Sequence, residues 1–299
     1  MVLAEAVSGA WLLAWRRRAR QAAAATELDP AEVDWLLREV TDLGSLALRL
    51  ESFGARTAIP LAWTAVTLEQ RWQQRLRQRV PLQHLLGRAP WRDFSLTVSP
   101  AVLVPRPETE LLVDLAAEAA CGRWSERGHW VDLGTGSGAL ALGLARALPQ
   151  ATVHAVDCSA AAIQIAQTNA RELGLQDCIR FYQGDWWEPF EAMRGQIAGM
   201  VANPPYIPSA QLPQLQPEVA RHEPHQALDG GWDGLACIRY LVASAPAYLQ
   251  PGGLWAIELM AGQAEAVTAL LSQQSRYSDI RCQRDLAGIE RFALARCHR

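Results

Sequence analysis

Trp130-Val131-Asp132-Leu133-Gly134-Thr135-Gly136-Ser137-Gly138 is the stretch that decides the fold. Residues 130–133 read as a short strand, the three alternating glycines as a tight turn, and residues 139–148 as a helix. Glycine has no Cβ, so such a turn lets a ligand approach the backbone closely. The spacing G-x-G-x-G is shorter than the G-x-G-x-x-G dinucleotide fingerprint. It suits a nucleoside or amino-acid moiety better than a pyrophosphate.

Outward from this turn the strand–helix rhythm repeats. Residues 152–156 form a strand ending at Asp157, and residues 159–173 a helix. Residues 179–182 lead to Gly184-Asp185-Trp186, and the apolar run 197–202 delivers Asn203-Pro204-Pro205-Tyr206. Later, Gly252-Gly253 precedes a strand over 254–258, a helix runs from about 263 to 272, and strands over 280–283 and 291–295 close the chain. Strands alternating with helices predict an α/β domain with a mostly parallel sheet. Ligands in such sheets lie beyond the carboxyl ends of the strands, where Asp132, Asp157, Asp185 and Asn203 all fall. Two prolines in a row hold Asn203 extended and stiffen the loop that carries its amide. An amide, free carbonyls and an aromatic ring fixed at a strand end suit a flat polar group such as an amide or a base edge.

Residues 1–80 read as entirely helical. Asp29-Pro30-Ala31-Glu32 has the form of an N-cap, a first-turn proline and a capping box. Val33, Leu36, Leu37 and Val40 then make a core-facing stripe. Another helix carries Leu61, Ala65, Leu68, Trp72 and Leu76, with Arg71, Arg75 and Arg79 off that face. Arg16-Arg17-Arg18 with Arg20 reads as a solvated basic helix end. From 81 to 107 the punctuation by Gly87, Pro90, Pro100, Pro105 and Pro107 indicates a hairpin-like connector, with extended pieces at 94–98 and 102–104. Arg106-Pro107-Glu108-Thr109-Glu110 opens a helix with Leu111, Leu112, Leu115 and Ala119 on its apolar face. The expected domains are therefore 1–80, 81–107 and 108–299.

The 299 residues are half apolar and a fifth charged, ordinary for a globular protein, with a net charge of −3 that exerts no global pull on nucleic acid. Every basic residue counted is arginine, and twelve tryptophans stand against five tyrosines and five phenylalanines. The six cysteines, at 121, 158, 178, 237, 282 and 297, have no C-x-x-C spacing and read as small buried hydrophobes in a reducing compartment. Residues 3–15 are apolar but too short to cross a bilayer, and arginines follow them instead of preceding them. A cytoplasmic protein is expected, with no membrane contact. His222 and His225 flank Glu223-Pro224, which breaks a helix, so no metal site is expected there. His84, His129, His154 and His298 read as isolated and structural, and Arg221 and Glu223 as shaping a substrate cleft.

The polar strand ends form a set. Gly134, Thr135, Gly136, Ser137 and Gly138 admit a ligand to the backbone. Asp157, 19 positions beyond Gly138, is placed to accept hydrogen bonds from both hydroxyls of a ribose. Asp185 is placed to take an exocyclic amine, with Trp186 to cover adenine. S-adenosyl-L-methionine is the ligand that needs this set, with S-adenosyl-L-homocysteine as product and no metal.

The sequence resembles the HemK/PrmC family, which methylates the side-chain amide of glutamine in bacterial release factors. The resemblance rests on 81-Pro-Leu-Gln-His-Leu-Leu-Gly, 104-Val-Pro-Arg-Pro-Glu-Thr-Glu, 131-Val-Asp-Leu-Gly-Thr-Gly-Ser-Gly, Asp185-Trp186 and Asn203-Pro-Pro-Tyr-Ile. Glu223-Pro224, Ala227-Leu228, 230-Gly-Gly-Trp-Asp-Gly-Leu and 285-Asp-Leu-Ala-Gly extend it. The first 80 residues match only in helical character. The resemblance implies a seven-stranded class I, Rossmann-like methyltransferase domain preceded by a helical bundle for substrate recognition and a β-hairpin connector. It implies that Gly134 to Gly138, Asp157 and Trp186 bind the cofactor, and that Asn203, Pro204, Pro205 and Tyr206 hold the glutamine of a Gly-Gly-Gln motif. Release factors are the implied partners, in translation termination, and a monomer is expected. The family usually has glycine two places after the glutamate that ends the fifth strand; here Met260 follows Glu258, with the expectation that it reshapes a pocket wall, and Glu258 receives no role.

Two other readings compete. A nucleic-acid methyltransferase acting on adenine N6 would use the same tetrapeptide, but such enzymes carry a basic recognition surface that this acidic chain lacks. A non-enzymatic sensor of an adenosine ligand would have no use for the complete Asn-Pro-Pro-Tyr.

Overall fold

Side chains alternate across β-strands, and here that alternation sorts the main sheet into two apolar faces. The computed structural model describes residues 4–121 and 124–298. The chain forms two units, Met1–Gly87 with Pro217–His222, and Arg88–Gln216 with Glu223–Arg299.

The first unit contains β1 (Glu5–Val7), α1 (Gly9–Ala25), α2 (Ala31–Val40), α3 (Ser45–Leu50), β2 (Ile59–Leu61), α4 (Ala65–Gln78) and α5 (Leu82–Leu86). Its core joins Leu12 and Trp15 of α1, Val33, Leu36, Leu37 and Val40 of α2, and Leu68 and Trp72 of α4. Trp15 and Trp72 meet edge to face with centroids 6.4 Å apart.

This unit departs from the expectation of pure helix. β1 and β2 pair antiparallel, so Leu61 lies in a strand and α4 begins only after the Thr64 cap. The capping box does not form: Asp29 accepts the Ala31 N–H at 2.8 Å, while both oxygens of Glu32 go to Arg75. Arg75 is 5 % exposed and also reaches Glu218, at 2.6 Å, in the short helix Pro217–His222. A guanidinium has five donors in a fork and satisfies two carboxylates at once, which permits its burial off the apolar stripe. Nor is the Arg16 cluster a solvated helix end. It lies in mid-α1, where buried Arg16 pairs with Asp34 and Glu51, Arg17 with Glu51, and Arg20 with Asp34. Leu3, at the head of the apolar run, lies outside the described residues.

The second unit opens with the antiparallel hairpin β3 (Arg88–Trp91) and β4 (Phe94–Thr97), then α6 (Glu110–Ala120). The α/β series follows: β5 (His129–Leu133), α7 (Ala139–Ala147), β6 (Thr152–Asp157), α8 (Ala160–Glu172), β7 (Ile179–Gln183), β8 (Ile197–Ala202), β9 (Leu249–Glu258), β10 (Tyr277–Arg284) and β11 (Glu290–Cys297). Helices Ala236–Ser244 and Ala264–Gln273 flank β9 in the chain. Residues 81–87 fall in the first unit and the hairpin in the second. Residues 102–104 form no strand, although Val102 and Val104 are buried with Val98 and Ala162.

The seven strands run in the order β10-β11-β9-β8-β5-β6-β7, parallel except for β11, which is antiparallel to both neighbours. From β5 the chain proceeds outward to β6 and β7, then returns to place β8 on the other side of β5. That reversal makes β5 and β8 a topological switch point, where ligands bind in such sheets. Trp130, Ala198, Val201, Leu254 and Ala256 fill one face with α6 and α7; Val131, Leu133, Met200, Trp255 and Ile257 fill the other with the two later helices. Gly199 is required between these layers, because a Cβ there would lie 2.5 Å from the Trp130 ring.

Candidate functional site

The turn after β5 is clamped to the end of β6. The N–H groups of Gly134 and Thr135 both donate to the Val156 carbonyl at 2.9 Å. Gly134, Gly136 and Gly138 have φ of +80°, +55° and +86°, a region that only glycine enters without strain. Asp157 is oriented by the same turn: Oδ2 accepts the Gly136 N–H and Oδ1 the Ser159 N–H, each at 2.9 Å. Asp132 was expected on the rim with the other strand ends. It is fully buried instead, with Oδ2 accepting the Thr135 hydroxyl at 2.6 Å and the Ala141 N–H at 3.1 Å. Burial pushes its carboxyl up to about 7, against those two hydrogen bonds.

A cavity of about 570 Å³ opens over this turn. Gly134, Thr135, Gly136, Ser137, Asp157, Asp185, Trp186, Asn203 and Pro205 line it, together with Arg106 and Thr109. Gly138, Pro204 and Tyr206 are not among the lining residues. The Trp186 ring lies 3.8 Å from where a Gly134 Cβ would sit, and Trp186 itself holds φ +48°. Among the lining residues one arginine, Arg106, faces three aspartates, Asp157, Asp185 and Asp229. S-adenosyl-methionine carries two cationic centres and one carboxylate, so this lining complements its charge, and its volume lies in the usual range for small-molecule sites.

The loop after β8 rests on groups that sequence reading passed over. Asn203 Nδ2 donates to Thr109 Oγ1 at 3.3 Å, and that hydroxyl donates to Glu258 Oε2 at 2.5 Å. Tyr206 donates its hydroxyl to Glu258 Oε1 at 3.0 Å. Gln263 Nε2 donates to the Tyr206 and Gly234 carbonyls at 3.0 and 3.3 Å, while its Oε1 accepts the Met260 N–H. Burial raises the Tyr206 hydroxyl, helped by the nearby Glu258, and burial likewise raises the Glu258 carboxyl. The signal for Glu258 was present: a lone carboxylate ends an apolar strand, as Asp157 ends another. Met260 is not among the residues that line the cavity.

Two further expectations fail. His129 and His154 are not isolated: their rings are hydrogen-bonded at 3.1 Å, and the other nitrogen of His154 meets the Tyr182 hydroxyl at 3.1 Å. Of the cysteines only Cys297 is buried; Cys121 and Cys158 are exposed, and Cys158 and Cys237 line the cavity. Glu223 is buried and held by Arg106, while Arg221 belongs to the other unit. Among the described residues no three His, Cys, Asp or Glu are grouped to hold a metal ion, and no helix is long and apolar enough to cross a membrane.

A doubly wound sheet with a glycine turn and an acidic strand end at its switch point is the architecture of a nucleotide-cofactor site, and the chain's relatives make its class S-adenosyl-methionine-dependent methyltransferase. The methyltransferase small domain family matches residues 108–221. A methyltransferase structure from Pyrococcus furiosus superposes with a TM-score of 0.50 at 16 % identity, covering 77 % of this chain and all of that one, and shares the fold. The release factor glutamine methyltransferase of Synechocystis sp. is 50 % identical over 97 % of each chain. That of Thermosynechococcus vestitus is 49 % identical, over 88 % of this chain and 90 % of its own. The chain belongs to the release factor glutamine methyltransferase family.

Proposed function

We propose that this protein methylates the side-chain amide nitrogen of the glutamine in the Gly-Gly-Gln motif of bacterial class 1 peptide chain release factors, acting in the cytoplasm with the helical unit recognising the substrate. The observation that carries the reading is the position of Asn203. It lines the same cavity as the glycine turn and Asp157, with its amide nitrogen engaged by Thr109. Its oxygen is then the group available to an incoming N–H.

Bound S-adenosyl-methionine supplies an electrophilic methyl group on a sulfonium. Gly134, Thr135, Gly136, Ser137, Asp157, Asp185 and Trp186, which line the cavity, would hold it. An amide nitrogen is a poor nucleophile because its lone pair is delocalised into the carbonyl. Asn203 Oδ1 and the Pro204 carbonyl each accept one N–H, which turns the glutamine nitrogen toward the methyl group. The same acceptors oppose the positive charge that grows on nitrogen, a preorganised electrostatic contribution. Holding the reacting groups in line contributes up to about 7–11 kcal/mol in favourable systems. Tyr206 packs against the flat amide. No strong general base is needed before attack, since an N-methylated amide cation gives up its proton readily.

Mass spectrometry of the Gly-Gly-Gln peptide from a release factor incubated with the protein is the test. The expected result is a gain of one methyl on that glutamine. Methyl transfer to adenine in DNA, with the release factor unchanged, would overturn the reading.

A further inference from the structure

Glu258 has no part in the chemistry above, yet both of its carboxylate oxygens are committed to groups that belong to the substrate loop or touch it. Oε2 takes the Thr109 hydroxyl and Oε1 the Tyr206 hydroxyl. No arginine is hydrogen-bonded to it among the described residues; Arg291, whose charge acts on it, is bound to Asp285. We propose that Glu258 is a positioning residue that sets the hydrogen-bond polarity of the Asn203 amide through the Thr109 hydroxyl and anchors the Tyr206 ring directly. The inference rests on Asn203 receiving the substrate nitrogen.

A threonine hydroxyl has a single proton and two lone pairs. Burial raises the Glu258 carboxyl, but the Thr109 and Tyr206 hydroxyls and the Arg291 charge oppose that shift. At 2.5 Å the Thr109–Glu258 contact has the length of a hydroxyl donating to an ionised carboxylate. With its proton spent there, Thr109 offers only a lone pair to Asn203. The Asn203 amide must then turn its NH₂ to Thr109 and its oxygen away, toward the cavity that Thr109 and Asn203 both line. The opposite polarity would present an NH₂ to an incoming N–H, donor against donor, and the substrate amide would lose Asn203 as an acceptor. Glu258 thus removes the two-fold ambiguity of an asparagine side chain. The Tyr206 bond adds a second anchor, with the Tyr206 carbonyl held separately by Gln263. The parts come from three places in the chain: the turn before α6, the loop after β8 and the end of β9.

Three variants and one map test this. Thr109→Val keeps the shape and loses the proton; Thr109→Ser keeps both functions; Glu258→Gln places an NH₂ where an acceptor is needed. On release factor, Thr109→Val and Glu258→Gln are expected to lower kcat by roughly 10²-fold, the size of effect seen when one preorganised polar contact is removed. Cofactor Kd should stay near that of the unaltered protein, and Thr109→Ser should restore most of kcat, a split that a merely structural role would not produce. A neutron map of the deuterated protein should place the Thr109 deuteron toward Glu258. A deuteron pointing at Asn203, or a Thr109→Val protein with undiminished kcat, overturns the proposal. If the protein methylates an adenine amine instead of glutamine, the substrate reading fails, while the neutron map and the same variants assayed on that amine still judge the relay.

Discussion

Arg106 grips Glu223 through a single nitrogen, Nη2, which donates to both carboxylate oxygens at 2.8 and 2.7 Å. The Glu223 side chain is 1 % exposed, so this guanidinium is what compensates its charge. Burial pushes the Glu223 carboxyl up, and the Arg106 charge opposes the shift. Arg106→Met strands that carboxylate and is expected to cost about 3–5 kcal/mol near pH 7. Glu223→Gln, which removes the buried charge itself, is expected to cost less. Urea unfolding curves of the two variants check the order.

The helical unit offers a parallel case. Arg75 bridges Glu32 and Glu218 while nearly fully buried. Arg75→Met leaves Glu32 without its cation and Glu218 with Arg79 alone, and is expected to destabilise this unit by about 3–5 kcal/mol. The loss should appear in urea unfolding followed by a probe confined to the helical unit.

Asn203→Ala removes the acceptor proposed for the substrate nitrogen. It is expected to lower kcat by roughly 10²–10³-fold while leaving cofactor affinity intact. Single-turnover methylation of release factor and calorimetric titration with cofactor measure the two quantities. Near-normal turnover would remove Asn203 from the proposed mechanism.

Asp157→Ala should do the reverse. Its carboxylate holds Gly136 and Ser159 by their N–H groups and is proposed to take the ribose hydroxyls. Hydrogen bonds to a charged group contribute about 1.5–3 kcal/mol each, so cofactor Kd is expected to rise at least roughly tenfold. Calorimetric titration decides it.

Two buried groups act on stability in opposite directions over the same pH range. Asp132, raised from 3.8 to about 7, keeps its proton in the folded state after the unfolded chain has released it. Its effect is therefore a loss of stability as pH rises from near 4 to about 7. His154, lowered from 6.5 to about 4 by burial and then by His129 and Arg180, stays neutral when the unfolded chain takes up a proton. Its effect is a loss as pH falls through that window. The two partly cancel in the unaltered protein. Asp132→Asn should show a stability that falls with decreasing pH more steeply than the unaltered protein, and His154→Phe one that falls more steeply with increasing pH. Thermal melts from pH 4 to pH 8 separate them.

The element order of the α/β unit was legible because it depends on local pattern. Residues 130–133, 152–156 and 197–202 alternate or run apolar over strand lengths, and the glycines at 134, 136 and 138 mark a turn that side chains would strain. The polar strand ends were legible for the same reason, as were Asn203 and Asp157 among the cavity residues. The errors share one cause. Arg75, Arg16, Glu258 and His154 were judged by their own segment, where each looked solvated, unassigned or isolated. Each is defined by partners far along the chain, and a residue's own periodicity carries no record of them.

Local pattern was enough to say which strands end in which polar groups, since strand, turn and helix propensities act over a few residues. Packing of the whole sheet put β8 beside β5, bringing Asn203 to the glycine turn across the switch point. It also decided that Thr109 and Glu258, 149 residues apart, share one proton-bearing contact behind Asn203. Hydrogen bonds between buried polar groups are short and directional, and which groups meet is settled only when the whole sheet has packed.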